Sequence, residues 1–199
     1  MNSEFMLLKI MLKSLLLLGL VTTGIQTYFL GLIIVQQNSM NPTLWDGDIL
    51  LTNKLAYQIS TPKVGDIIIF YKDTPEGIAK TRLGLTLTDL FNKATLNTER
   101  TRYVKRVVAI SGDVVDIKNG TLYVNTLPVI ENFTQGLTYS NNAEFPMTVN
   151  QNCVYVLGDN REISLDSRNF GQVPIKMIES RVESKLPWQL TGAAPVKEQ

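Results

Sequence analysis

The order of apolar and polar positions divides the chain into two unlike parts. From Ser14 to Trp45 no residue is charged, and SLLLLGLVTTGIQTYFLGLIIV (Ser14 to Val35) is apolar almost throughout. As a helix it would extend roughly 33 Å, against about 30 Å for the hydrocarbon core of a bilayer. A cleavable leader would have an apolar region of only about 7–15 residues before a small-residue cut site, which does not match. A buried soluble helix is the competing reading, encouraged by Thr22, Thr23, Gln26 and Thr27 near the middle. The pattern predicts a membrane anchor over 14–35, behind a short N-terminus at 1–13. Lys9 and Lys13 precede the anchor, and Asp46 and Asp48 follow it. The positive-inside rule then leaves 1–13 in the cytoplasm and the rest of the chain, in a single pass, on the far side. Three residues separate Val35 from Ser39, which predicts Ser39 at the outer membrane surface.

Beyond the anchor the period shortens. GDILLTNKLAY and VGDIIIFY each open on a Gly-Asp turn and continue into β-branched and aromatic residues, which reads as strands. RYVKRVVAISGDVVDIKNGTLYVN reads as three strands, with turns at Ser111-Gly112-Asp113 and Lys118-Asn119-Gly120. CVYVLGDN adds a further strand and turn. Short, closely spaced strands predict a mainly β domain over 36–190 behind one N-terminal transmembrane helix. Within it, TRLGLTLTDLFNKATLNTER (81–100) reads as an insertion with a short amphipathic helix, from Leu83, Leu87, Leu90 and Phe91. The tail TGAAPVKEQ (191–199) reads as flexible.

Composition then removes whole classes of chemistry. The net charge is +1, with no basic stripe, so nucleic acid has no electrostatic support as a partner. The single cysteine, Cys153, excludes an internal disulfide and a multi-cysteine zinc site. There is no histidine at all, which excludes a Ser-His-Asp triad, a Cys-His pair and an HExxH metal site. No metal or cofactor is expected. Hydrolytic chemistry in this chain must take lysine, a carboxylate or tyrosine as its base.

Two readings of Ser39, in VQQNSMNPTLWDGD, are open: a helix-capping residue, or a nucleophile held at the membrane surface. Lys105, in TRYVKRVVAI, is the candidate base. Alternation puts it on one strand face with Tyr103, Val107 and Ala109, whose apolar surroundings would desolvate the ammonium and lower its pKa. A solvated surface lysine is the alternative. In GDNREISLDSR, Ser164, Asp166 and Arg168 alternate. Ser164 is placed to hydrogen-bond a neutral amine, and Asp166 and Arg168 to pair and hold the loop. A solvated turn is the alternative there.

Together NSMNPTL, GDIIIF, YVKRVVAISGD and GDNREISLDSRNFGQVP, in that order, resemble the type I signal peptidases, membrane-bound serine peptidases that remove signal peptides from exported proteins. The resemblance runs from the anchor to about Pro174 and implies a Ser–Lys dyad on a β-rich catalytic domain. By motif, Ser39 is the nucleophile, Lys105 the general base, Ser164 a contact of the lysine amine, and Asp166 with Arg168 a supporting pair. Many members carry Ser or Thr two residues before the nucleophile; Gln37 stands there in this chain. The resemblance therefore implies an oxyanion hole from Ser39 and Gln37. It also implies small-side-chain pockets lined by Val35, Met40, Leu44, Tyr103 and Val104, and a substrate bound as an added extended strand. The implied partners are preproteins, the lipid bilayer and the export machinery, at a bacterial inner membrane or an organelle membrane. Two alternatives remain: a Ser–Lys peptidase dedicated to a pilin or plasmid transfer protein, and a non-catalytic anchored binding module.

Overall fold

A computed structural model gives the structure of residues 2–71, 81, 83, 84, 86, 87, 91, 102–141 and 143–187. Helix α1 (Asn2–Tyr28) is followed at once by strand β1 (Leu30–Ile34). Ten further strands follow: β2 (Ile49–Asn53), β3 (Ile67–Tyr71), β4 (Arg102–Ile110), β5 (Val114–Lys118), β6 (Thr121–Val124), β7 (Leu127–Pro128), β8 (Met147–Thr148), β9 (Cys153–Leu157), β10 (Val173–Pro174) and β11 (Ile178–Lys185). They form a seven-stranded sheet in the order β1-β2-β11-β3-β4-β9-β10 and a four-stranded sheet in the order β7-β6-β5-β8. All pairings between these strands are antiparallel.

The mainly β expectation holds, and β3, β4, β5, β6 and β9 fall within the runs that predicted them. Each is a short β-branched or aromatic segment with a Gly-Asp or Asn-Gly turn at one end or the other, which leaves little freedom in register. GDILLTNKLAY is only half a strand: after Asn53 it bends into the helical turn Ala56–Ile59. Of the helix expected in 81–100, Leu83, Gly84, Thr86, Leu87 and Phe91 are helical. Leu90 and the tail 191–199 lie outside the described residues.

The anchor boundary needs correction. The helix ends at Tyr28, not Val35, and the apolar stretch after it is β1, paired with β2 from Leu30↔Asn53 to Ile34↔Ile49. A continuous apolar run carries no period that separates helix from strand, and β2 has an edge of backbone donors and acceptors that β1 satisfies. Among the described residues one helix is long and apolar enough to cross a membrane, over Phe5–Tyr28, with a mean hydropathy of 2.0. Ser39 is thus separated from the helix by an entire strand, and the sheet, rather than the helix, sets its position.

Strand β4 organises the interior. Its neighbours β3 and β9 share with it a core of Ile68, Phe70, Val107, Val154 and Val156. Its register against β9 slips between Val107 and Ala109. Val108 and Ala109 therefore enter a second core, with Val115, Leu122 and Tyr155, beneath the smaller sheet. Simple alternation had put Ala109 on the face of Lys105 and Val107; the bulge reassigns it.

Gly31 is what lets β1 lie close to β2. A Cβ built there would stand 2.7 Å from Thr52 Oγ1 and 3.2 Å from Lys54 Cε, and Thr52 is fully buried. Gly31→Ala is expected to destabilise the fold by about 1–3 kcal/mol, the usual cost of overpacking. Adding Thr52→Ala, which removes the opposing hydroxyl, should recover part of the loss. Chemical denaturation of both variants checks this, and equal stability for wild type and Gly31→Ala would refute the close approach.

Candidate active site

The segment from Val35 to Asp48 leaves β1 and returns to β2, so its ends are brought together by the pairing of those strands. The Val35 N–H donates to Asp48 O at 2.8 Å and the Gly47 N–H to Val35 O at 3.0 Å. Two carboxylates stiffen the excursion: Asp46 Oδ1 accepts from the Gln37 N–H at 2.8 Å, and Asp48 Oδ2 from the Trp45 N–H at 2.7 Å. Val35, Met40 and Leu44 turn inward onto Leu50 and form a small buried cluster. Apolar anchors on either side of Ser39 thus hold a half-buried hydroxyl in a turn, with no helix for it to cap.

Lys105 arrives from β4, opposite Ile68 of β3. Its Nζ lies 2.7 Å from Ser39 Oγ and donates to Val104 O at 3.0 Å. The Tyr103 ring centroid is 5.6 Å from Nζ. Lys105 is only 3% exposed, and burial lowers its pKa to about 8, against the opposing pull of the Asp166 and Asp159 carboxylates. At that value about 9% of the amine is neutral at pH 7, against about 0.04% for an ordinary lysine. A neutral amine within 2.7 Å of a hydroxyl can accept its proton, so this pair can generate a nucleophilic alkoxide.

The third cluster lies beneath this pair. Asp166 and Arg168 make the expected ion pair, Nε to Oδ1 at 2.8 Å and Nη2 to Oδ2 at 2.9 Å, with both side chains buried. Asp166 also caps the helix Ser167–Phe170 and accepts the Gly158 N–H at 3.0 Å. The turn at Gly158 touches the Ser39 segment, because the Asn160 N–H donates to Ser39 O at 3.1 Å. A Cβ on Gly158 would lie 2.1 Å from Ser164 Oγ and 2.4 Å from Ser39 O; only glycine fits.

Three sequence expectations change. Ser164 is buried beside Gly158 and Ser39, but its Oγ has no hydrogen-bond partner, so the expected contact with the lysine amine is not made. Val35, Met40 and Leu44, expected to line substrate pockets, are core residues here. Tyr103 and Val104 are half-buried and retain surface, and Tyr103 stacks on Phe170 with centroids 5.7 Å apart. Gln37 has its side chain exposed and its backbone at a φ of 84°. Its main-chain amide, rather than its carboxamide, is the group engaged.

Sequence reasoning missed a second buried ion pair. Asp159, fully buried, accepts from Arg106 Nε at 2.8 Å and Nη2 at 2.6 Å, and from the Thr43 hydroxyl at 2.5 Å. This ties the Ser39 segment, β4 and the 158–168 turn at one point. The available signal was weak: Arg106 adjoins Lys105, and Asp159 sits in a Gly-Asp pair that reads as a turn. Among the described residues no group of three or more carboxylate or thiol side chains is placed to hold a metal ion.

The profile of the family described as signal peptidase, peptidase S26, matches residues 8–188. The thylakoidal processing peptidase 1 of Arabidopsis thaliana chloroplasts is 36% identical over 148 residues, 74% of this chain and 39% of that protein. A signal peptidase I of Bacillus caldolyticus is 33% identical over 162 residues, 75% of each chain. The chain thus spans well under half of the plant relative and three quarters of the bacterial one. The crystal structure of a signal peptidase I from Enterococcus faecalis superposes with a TM-score of 0.39 and 25% identity, over 62% of this chain and 97% of that one.

Asp166 acts on both stability and the amine, which makes it a sharp probe. Asp166→Asn leaves the buried Arg168 guanidinium without its counter-charge and is expected to cost about 3–5 kcal/mol. The lost carboxylate had been raising the Lys105 pKa, so the Nζ titration should move below about 8. Denaturation and nitrogen NMR of the lysine amine measure the two effects. An upward shift would contradict the assigned electrostatics.

Proposed function

The chain belongs to the signal peptidases of peptidase family S26, and on that premise we propose that it is a serine endopeptidase that removes N-terminal signal peptides from preproteins. The observation that carries this reading is the 2.7 Å contact between Ser39 Oγ and the amine of a buried lysine. In the proposed mechanism neutral Lys105 takes the Oγ proton as Ser39 attacks the scissile carbonyl carbon. The resulting ammonium returns that proton to the departing amine, which leaves the signal peptide esterified to Ser39. A water molecule, deprotonated by the same amine, then hydrolyses the ester. The oxyanion would take the Ser39 N–H, with the Gln37 carboxamide turning in from solvent as second donor. Tyr103 and Val104 would border the pocket for the residue before the cut.

Helix α1 would hold this site at a bilayer, with the N-terminus cytoplasmic and the β domain outside, alongside the export machinery. Confining enzyme and substrate to one thin layer raises their effective concentration. The direct test is incubation of the detergent-solubilised protein with a labelled preprotein, followed by sequencing of the new N-terminus. No cleavage, or cleavage away from the signal-peptide junction, would refute the proposal.

Ser39→Ala and Lys105→Ala are each expected to abolish turnover in a folded protein, and the double variant should be no worse than either, because the two act as one unit. The base must be neutral, so kcat/KM should rise with pH through an inflection near the Lys105 value of about 8 and level off above it. An inflection in the ordinary lysine range near 10, or residual turnover by Lys105→Ala, would remove Lys105 as the base.

A further inference from the structure

The turn that touches Ser39 is itself gripped by a segment of the other sheet. Residues 131–138, in the connection between β7 and β8, lie against residues 158–161. Gln135 exchanges backbone hydrogen bonds with the turn: its N–H donates to Asp159 O at 2.8 Å, and its carbonyl accepts from the Arg161 N–H at 2.8 Å. The Phe133 ring lies 4.0 Å from the Arg106 guanidinium that pairs with Asp159. Arg161, 2% exposed, donates from Nε to Gly158 O at 3.0 Å and from Nη1 to Thr138 Oγ1 at 2.6 Å. Its charge meets Glu131, Nη1 to Oε2 at 2.7 Å and Nη2 to Oε1 at 2.5 Å, with the side chains 1% and 8% exposed.

We propose that Glu131 is a positioning residue for the nucleophile, acting through Arg161. The path is short and continuous. Glu131 fixes the guanidinium, the guanidinium fixes Gly158 O, and the same turn presents the Asn160 N–H to Ser39 O. Glu131 contacts neither Ser39 nor Lys105. Without its carboxylate, Arg161 would be a buried cation with only neutral acceptors, and a turn that swings it toward water would also withdraw the support under Ser39. The segment thereby gives the smaller sheet a part in the chemistry of the larger one.

The proposal rests on the peptidase reading, so preprotein cleavage by the wild type is established first. Its absence would overturn that reading and this proposal together. Glu131→Gln is then expected to lower kcat on the order of 10²-fold, the scale of a small misplacement of reacting groups, with KM little changed. The inflection near pH 8 should stay where it is, because Glu131 is not among the charges acting on Lys105. Glu179→Gln is the control. It weakens the contacts of an equally buried carboxylate, with Arg102 Nε 2.6 Å from Glu179 and the two side chains 22% and 8% exposed, away from the 158–161 turn; it should lower the melting temperature while keeping kcat. Full kcat in Glu131→Gln, or equal losses in both variants, overturns the proposal. Should Glu131→Gln fail to fold, Thr138→Val removes one neutral acceptor from the same guanidinium and decides the matter: a smaller fall in kcat supports positioning, and an unchanged kcat refutes it.

Discussion

The contact between Lys105 and Ser39 depends on an ammonium being carried into a place where water would normally be required. Strand β4 does this by lying between β3 and β9, so a lysine in its middle is flanked by strands on both sides and is almost entirely buried. The charged form suffers for it. Between pH of about 8 and the ordinary value of 10.5, the unfolded chain holds more of this proton than the folded one does, so burial of Lys105 subtracts stability at neutral pH and returns it as the pH rises. The fold must therefore supply elsewhere what this residue removes. The surrounding ion pairs, Asp166–Arg168, Asp159–Arg106 and Glu131–Arg161, are placed where they also fix the backbone around Ser39.

Those pairs are expensive to desolvate, and a hydrophobic replacement would often be as stable. Their value lies in direction. Asp166 receives the Gly158 N–H, Asp159 receives Thr43 from the nucleophile segment, and Arg161 donates to Gly158 O. Two of the pairs hold Gly158 by its N–H and its carbonyl and the third holds the Thr43 hydroxyl, so chain segments distant in sequence are tied together beside Ser39.

Much of this was legible in the sequence, and the parts that were not have a common cause. Strands bounded by Gly-Asp or Asn-Gly turns announce themselves locally, and the absence of histidine left lysine as the natural base for Ser39. The Asp166–Arg168 pair was legible because its members are two residues apart. Strand β1 was hidden because an all-apolar run has no period. Strand β11, IESRVESK, was hidden for the opposite reason: its charged residues mask a segment that nonetheless pairs with both β2 and β3. Glu131 and Arg161, or Arg106 and Asp159, meet only after the sheets have formed. No local pattern marks such a pairing, and the core placement of Val35, Met40 and Leu44 likewise depends on how the segment after β1 closes on itself.

The joint between α1 and β1 consists of Phe29 alone. Its N–H completes the helix by donating to Ile25 O at 2.9 Å, while its carbonyl accepts from the Lys54 N–H, just past β2, at 2.9 Å. A one-residue joint with both of its peptide groups bonded leaves little slack between helix and sheet. Helices in bilayers answer changes in thickness by tilting. With α1 in a bilayer as proposed, a tilt would swing the seven-stranded sheet, and Ser39 would rise or fall with it. On the proposed reading, the height above the lipid at which Ser39 meets a peptide bond would then be a property of the membrane as much as of the protein.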